Sequence, residues 1–207
     1  MKPKKKRKLW KKLLVILAAV ILVSGIGFGI YVQDYYRAND LALEAAAQSQ
    51  QDITVTTSSE GRIIFAPENP RAGLIFYPGG KVQYEAYAPL MEACAKEGIL
   101  CVLLRMPGNL AVLDINAAKG IPEEYPNIEN WYMAGHSLGG SMAASYISSH
   151  EEEFKGLILL AAYSTADLKE TGLKVLSLYG SEDGVLKMDS YEKYRDNLPE
   201  AFTEDLN

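Results

Sequence analysis

Five residues carry the strongest chemical signal in this sequence: Gly135-His136-Ser137-Leu138-Gly139. They follow the apolar run Asn130-Trp131-Tyr132-Met133-Ala134 and precede a small-residue stretch, Ser141 to Ser148, that reads as a helix. A serine in G-x-S-x-G spacing between strand and helix is the pattern of a nucleophile elbow, a sharp turn that lifts Oγ clear of the backbone for attack on an acyl carbon. Glycine suits positions 135 and 139 because a Cβ on either would collide with the strand or the helix. The turn also holds the serine backbone itself in a strained conformation.

Such a turn needs a sheet to carry it, and the surrounding chain supplies one. Ile53 to Thr57 and Arg62 to Ala66 read as two strands joined by the turn Ser59-Glu60-Gly61. Apolar runs then alternate with helical patterns. Strands are expected over 73–77, 99–104, 130–134, 157–161 and 173–179, and helices over 84–97, 110–119, 137–149 and 190–197. A hairpin followed by repeated β-α units predicts an α/β fold with a mainly parallel, doubly wound sheet and helices on both faces. Ligands of such sheets bind beyond the carboxyl ends of the strands. Glycine, proline and polar residues gather at that edge: Pro78-Gly79-Gly80-Lys81, Met106-Pro107-Gly108-Asn109, His136-Ser137-Leu138, Tyr163-Ser164 and Ser181-Glu182-Asp183.

With these elements the sequence resembles the α/β-hydrolase superfamily, and most closely its small bacterial, dienelactone-hydrolase-like branch of the alpha/beta hydrolase fold-5 type. The resemblance covers about residues 53 to 207 and rests on the elbow and on the order of strands around it. It implies Ser137 as the nucleophile. It implies an oxyanion hole made by the amide of Leu138 and one from the loop after the third strand, where Gly80 is the first choice and Lys81 the second. It also implies a catalytic acid after the seventh strand, which puts Asp183 in that place, with Glu182 and Asp167 as weaker alternatives.

The base is the gap. In this superfamily the histidine follows the acid, whereas the two histidines here, His136 and His150, both precede Asp183. The resemblance turns His136 away from the catalytic face, and His150 falls at a helix end beside Glu151-Glu152-Glu153. Residues 201–207 read as the beginning of a last strand. The expectation is a C-terminally truncated body, 52–207, lacking its last strand, histidine loop and closing helix.

Ahead of that body, charge and hydropathy divide the chain sharply. The first 12 residues hold eight of the 21 Lys/Arg, which leaves 13 basic against 26 acidic residues in the remainder. An acidic body argues against nucleic acid as a partner. The basic head, 1–12, runs into Leu13 to Val32, which contains no charge. At 1.5 Å per residue this stretch reaches ~30 Å, the thickness of a bilayer's hydrocarbon core. It is longer than the roughly 7–15 apolar residues of a secretory signal. We expect an uncleaved transmembrane anchor at 13–32, the N-terminus cytoplasmic and the body extracellular. The polar, alanine-rich stretch 33–51 is expected as a stalk.

Cys94 and Cys101 read as buried thiols, with a disulfide left open by the lack of geometry. No metal-ligand spacing and no phosphate loop is visible, so no cofactor and no metal are expected. The expected function is a membrane-anchored serine hydrolase of ester-type substrates, either small molecules or acyl groups presented on a surface. Only Ala162 to Gly172 separate the sixth and seventh strands, too few residues for a lid domain. The alternatives are a membrane-tethered binding module on the same fold and, more weakly, an acyltransferase.

Overall fold

A computed structural model describes residues 4–50, 52–200 and 203–206 and divides the chain into two units, Met1–Tyr35 and Tyr36–Asn207. The first unit is one helix, α1 (Lys4–Gln33), whose Leu9–Gln33 stretch is long and apolar enough to cross a membrane by length and composition. Large side chains along it, such as Leu14, Ile21 and Val23, are exposed. A helix apolar all round has no single face to lay on a protein core. Of the basic head, residues 1–3 lie outside the described residues and 4–12 belong to α1.

The second unit is built on an eight-stranded sheet in the order β1-β2-β4-β3-β5-β6-β7-β8. The strands are β1 (Ile53–Thr57), β2 (Ile63–Pro67), β3 (Ala72–Tyr77), β4 (Ile99–Leu103), β5 (Trp131–His136), β6 (Gly156–Leu160), β7 (Lys174–Leu178) and β8 (Thr203–Leu206). The predicted hairpin is present, with β1 antiparallel to β2 and β2 antiparallel to β4, and all remaining pairings are parallel. The α/β class and the mainly parallel sheet are therefore as the sequence predicts.

Alternation along the strands divides the core into two layers. Ile75, Tyr77, Val102, Met133 and Leu157 face α5 (Leu138–Ile147), whose Ala143, Ala144 and Ile147 complete one apolar cluster. Leu74, Phe76, Cys101, Leu103 and Ala134 face the other side, where α3 (Ala88–Lys96) adds Ala88, Met91 and Ala95. Side chains with a period of two on strands and about 3.6 on helices leave no other way to bury these residues together. Cys94 and Cys101 are both free thiols; the neighbouring Cys101 thiol brings Cys94 down to about 7, while Cys94 and burial push Cys101 up. At the far end of the sheet, α6 (Met188–Arg195) buries Tyr191, whose hydroxyl lies 2.7 Å from Ser177 Oγ.

Three expectations change. The stretch expected as a stalk, 33–51, belongs to the body from Tyr36 onward. Tyr36 N–H donates to Lys81 O (2.8 Å), and Gln83 N–H donates to Tyr36 O (2.9 Å). Beyond it α2 (Asp40–Ala47), capped by the Asn39 side chain, buries Ala42 and Ala46 against the body. Alanine has too little side chain to hold a helix off its neighbour, so a stretch that looks merely polar can dock closely. Second, residues 203–206 form β8 and pair in parallel with β7 from Val175↔Thr203 to Leu178↔Leu206, so the last strand expected as lacking is present there. The unpaired edge of β7 would otherwise leave backbone groups without partners. Residues 201, 202 and 207 of that expected strand lie outside the described residues.

Third, no continuous helix forms over 110–119. This stretch holds a 3-10 turn at Ala111–Leu113 and further turns, followed by the short α4 (Ile121–Glu124). Asp114 and Asn116 favour turns, Gly120 takes φ 79°, and a side chain from the core competes for the local backbone groups. The buried Tyr77 hydroxyl donates to Ile115 O (2.7 Å) and accepts from Ala118 N–H (3.2 Å). Replacing Tyr77 with Phe leaves both groups without that partner. We expect Y77F to cost about 1–3 kcal/mol in denaturant unfolding and to speed amide exchange over 114–120. Unchanged exchange there would show that the hydroxyl does not hold the loop.

Candidate active site

Ser137 stands between the end of β5 and α5 with φ 50° and ψ −121°, a backbone conformation that costs a non-glycine residue of order 1–3 kcal/mol. Neighbours on both sides hold it there: Ser137 N–H donates to Leu160 O (2.9 Å) at the end of β6, and Ser137 O accepts from Ser141 N–H (3.2 Å) in α5. The two elbow glycines are required by close packing. A Cβ on Gly139 would lie 2.3 Å from both Tyr77 O and Pro78 O, and one on Gly135 would lie 2.6 Å from Gly139 C and Gly140 N. Helix α5 therefore sits directly on the backbones of β3 and β5, with its first residue, Leu138, beside the serine.

The loop after β3 comes to the same point. A Cβ on Gly80 would meet Leu138 Cδ2 at 3.0 Å and Leu138 Cβ at 3.4 Å, so the two predicted oxyanion donors are neighbours. Leu138 opens α5, where the first amides have no acceptor within the helix. Lys81, the second choice, differs: it takes φ 58°, and its N–H donates to Asn109 O (2.8 Å), so that amide is already engaged.

Asp183 follows β7 and lies in the same cleft, a cavity of about 590 Å³ that also takes in Gly80, His136, Ser137 and Leu138. Its Oδ1 accepts from Val185 N–H (2.8 Å) and Leu186 N–H (3.0 Å). These two bonds, Leu186 first, hold its carboxyl below the ordinary aspartate range, with the nearby His136 ring contributing. Of the other acids considered, Glu182 is exposed and Asp167 turns its carboxylate to Lys169 N–H (3.1 Å). Tyr36, Val82, Ala162, Val185 and Leu186 give the cleft apolar walls. A second concavity of about 530 Å³, around Asn130, Glu151 and Lys174, holds none of the predicted site residues.

His136, expected to turn from the catalytic face, is paired with a residue the sequence did not bring to notice. The histidine belongs to the cleft lining, and because position 136 falls on the α3 side of β5 its ring meets a tyrosine at the sheet edge. The Tyr87 hydroxyl lies 2.8 Å from His136 Nδ1 and accepts from Gly79 N–H (3.0 Å). If Nδ1 carried the ring proton, the hydroxyl would have no acceptor for its own hydrogen among the described residues. We therefore assign Tyr87 as the donor, Nδ1 as the acceptor and Nε2 as the protonated nitrogen. Burial lowers the His136 pKa, opposed by the Asp183 charge, and burial raises that of Tyr87, so both are neutral near pH 7. His150 is spent elsewhere: its ring stacks on Tyr146 at 4.0 Å, and its Nδ1 lies 2.9 Å from Tyr146 O.

Sequence reasoning missed Tyr87, Tyr36 and the cleft role of His136. The only signal for the first was an aromatic at the start of a helix, which is ordinary core composition. Among the described residues, no group of three or more His, Cys, Asp or Glu is arranged to hold a metal ion.

A strand-turn-helix elbow at the carboxyl edge of a mainly parallel sheet, with a glycine loop beside it, defines a class of hydrolase folds, and comparison with known proteins agrees. The alpha/beta hydrolase family model matches residues 73–204, and the chain belongs to that family. Among solved structures it is similar to one described as a predicted CIB-like hydrolase from Thermoplasma acidophilum. That match has 16% identity and a TM-score of 0.56, covering 74% of this chain and 86% of that one. It is also similar to TT1662 from Thermus thermophilus, with 16% identity and a TM-score of 0.58, covering 75% and 90%. At that identity these likenesses show the fold alone. No curated protein matches the chain.

The cleft makes a prediction about proton linkage. His136 should titrate below the ordinary histidine value of ~6.5. With its folded pKa depressed, the unfolded chain takes up the proton first. This group's stability contribution is therefore complete above the unfolded pKa and falls as pH drops through it toward the folded value. Asp183→Asn keeps Oδ1 as an acceptor but removes the charge that favours imidazolium. NMR titration of D183N should place the His136 midpoint lower than in the wild type; a higher midpoint would contradict this electrostatic coupling.

Proposed function

We propose that this protein is a membrane-anchored serine hydrolase of ester-type, acyl substrates. In this reading Ser137 Oγ attacks the carbonyl carbon and its proton passes to a base. The carbonyl oxygen becomes an oxyanion held by the amides of Leu138 and Gly80. Collapse breaks the bond to the alcohol, which leaves with a proton, and water then releases the acid from the acyl-enzyme. The observation that carries the reading is the strained Ser137 backbone set beside Gly80 and Leu138, the latter at the start of α5, where the first amides have no acceptor within the helix. The partial positive charge at the start of α5 adds to the stabilisation of an anion there. The substrate is a small molecule or an acyl group presented on a surface, because the stretch between β6 and β7 is too short for a lid domain.

The anchor is α1, with the basic flank on the cytoplasmic side and the body outside. Tyr36, which lines the cleft, follows Gln33 by three residues in sequence.

A second reading has one observation in its favour. The Ser137 proton needs an acceptor, yet His136 Nδ1 is occupied by Tyr87 and His150 is held against Tyr146. A tethered module that binds acyl or carboxylate groups without turnover would need the same amides and no base. Asp183 would in the hydrolase orient an imidazole and in the binding module shape the cleft. A fluorophosphonate probe separates the two. The hydrolase reading expects labelling of the full chain at Ser137 and none in Ser137→Ala. Absence of labelling together with measurable binding of a carboxylic acid would favour the module.

A further inference from the structure

We propose that Tyr87 is a positioning residue of the oxyanion pocket: its hydroxyl ties the loop carrying Gly80 to the strand end carrying Ser137 and Leu138, and so sets the spacing of the two amide donors. The catalytic consequence rests on the reading of Ser137 as an acyl nucleophile; the tie itself rests on the fold.

The two hydrogen bonds of the Tyr87 hydroxyl end on residues that each directly precede a donor segment. Gly79, whose N–H it accepts at 3.0 Å, is followed by Gly80. His136, whose Nδ1 it meets at 2.8 Å, is followed by Ser137 and Leu138. The three groups are packed without slack: a Cβ on Gly79 would lie 2.5 Å from His136 Nδ1 and 2.8 Å from the Tyr87 hydroxyl. Tyr87 is itself fixed. It closes the 3-10 turn Tyr84–Tyr87 at the start of α3, and its ring tilts onto Phe76 with centroids 4.8 Å apart and onto His136 at 5.8 Å.

Within the loop Val82 N–H donates to Gly79 O (3.3 Å), a bond internal to the turn, and the ties from the loop to other segments act further along it. Lys81 N–H goes to Asn109 O and Lys81 O accepts from Tyr36 N–H, both at 2.8 Å. Those bonds fix the exit of the loop, while Tyr87 fixes its entry. An oxyanion donor works within about 2.7–3.1 Å of the developing charge, and removal of one donor costs roughly 10²–10³ in rate. A few tenths of an ångström of slack at Gly79 therefore reaches the chemistry. A purely apolar role for the ring would need no hydroxyl, and phenylalanine would serve as well.

Tyr87→Phe in the full chain tests this. Its rate constant for fluorophosphonate labelling of Ser137 should fall about 10- to 100-fold. Affinity for a trifluoromethyl ketone, whose adduct places an oxyanion in the pocket, should weaken by the same factor. Affinity for the uncharged alcohol analogue should stay within about twofold, a contrast that a general loss of packing would not give. In the wild type, ¹⁵N spectra should show His136 with Nδ1 unprotonated and Nε2–H; in Y87F that preference should weaken. Wild-type labelling and adduct affinity in Y87F would overturn the proposal, and so would a wild-type ring protonated on Nδ1. The wild-type spectrum decides the tie even where Y87F fails to fold. A wild-type chain that shows the expected tautomer but never labels at Ser137 fails the nucleophile reading and leaves the tie standing.

Discussion

The contact on which the cleft depends is backbone against backbone, where α5 crosses the ends of β3 and β5. At Gly139 the helix runs so close to Tyr77 O and Pro78 O that a single added carbon would sit 2.3 Å from each. This approach brings the start of α5, whose first amides have no acceptor within the helix, to the carboxyl edge of the sheet. It also leaves the chain only a tight path from strand to helix, which forces Ser137 to φ 50°. The strain is local, but what over-determines it is spread widely: the Leu160 carbonyl on β6, the Gly135–Gly140 contact and the apolar cluster under α5. A strained residue persists only where its surroundings leave it no relaxed alternative. Here the surroundings are the sheet itself.

Loops settle onto that frame through polar contacts from buried or fixed groups. Tyr77 reaches out of the core to organise 115–118, Tyr87 reaches the entry of the Gly79–Lys81 loop, and Asp183 Oδ1 gathers the amides of Val185 and Leu186. The first two ties link an irregular segment to a regular one, so those loops inherit the rigidity of strands and helices, while the third folds the Asp183 loop on itself. Segment 36–38 takes part as well, since Ala38 N–H donates to Gln83 Oε1 at 3.0 Å and Tyr36 bridges residues 81–83. The chain just beyond α1 is thus integrated with the wall of the cleft.

This division explains what could be read from sequence. Strands whose residues alternate or run apolar, such as Leu74-Ile75-Phe76, announce themselves, because burial on both faces demands that composition. The Gly135–Gly139 elbow was legible for the same kind of reason: only glycine fits its contacts. The stretch 110–119 was misread because Leu110-Ala111-Val112-Leu113 has helical composition, while the deciding partner, the Tyr77 hydroxyl, lies some forty residues away. The 33–51 segment misled in the opposite direction, since alanines that pack on a body look the same as alanines in a stalk. Tyr87 and the orientation of His136 were invisible because they depend on a side-chain pairing across 49 positions.

That pairing bears on the chemistry of the cleft. His136 occupies the variable position of the motif, where an imidazole invites the role of base. The Tyr87 bond gives it the tautomer with hydrogen on Nε2, so at that atom it can only donate. Gly80 and Leu138 also offer donors, and Asp183 is the carboxylate in the cleft. On the proposed reading these N–H groups would meet a ligand whose oxygen carries or gains negative charge. A carbonyl turning tetrahedral and a bound carboxylate both meet that description, and a proton acceptor for Ser137 is the group on which they divide.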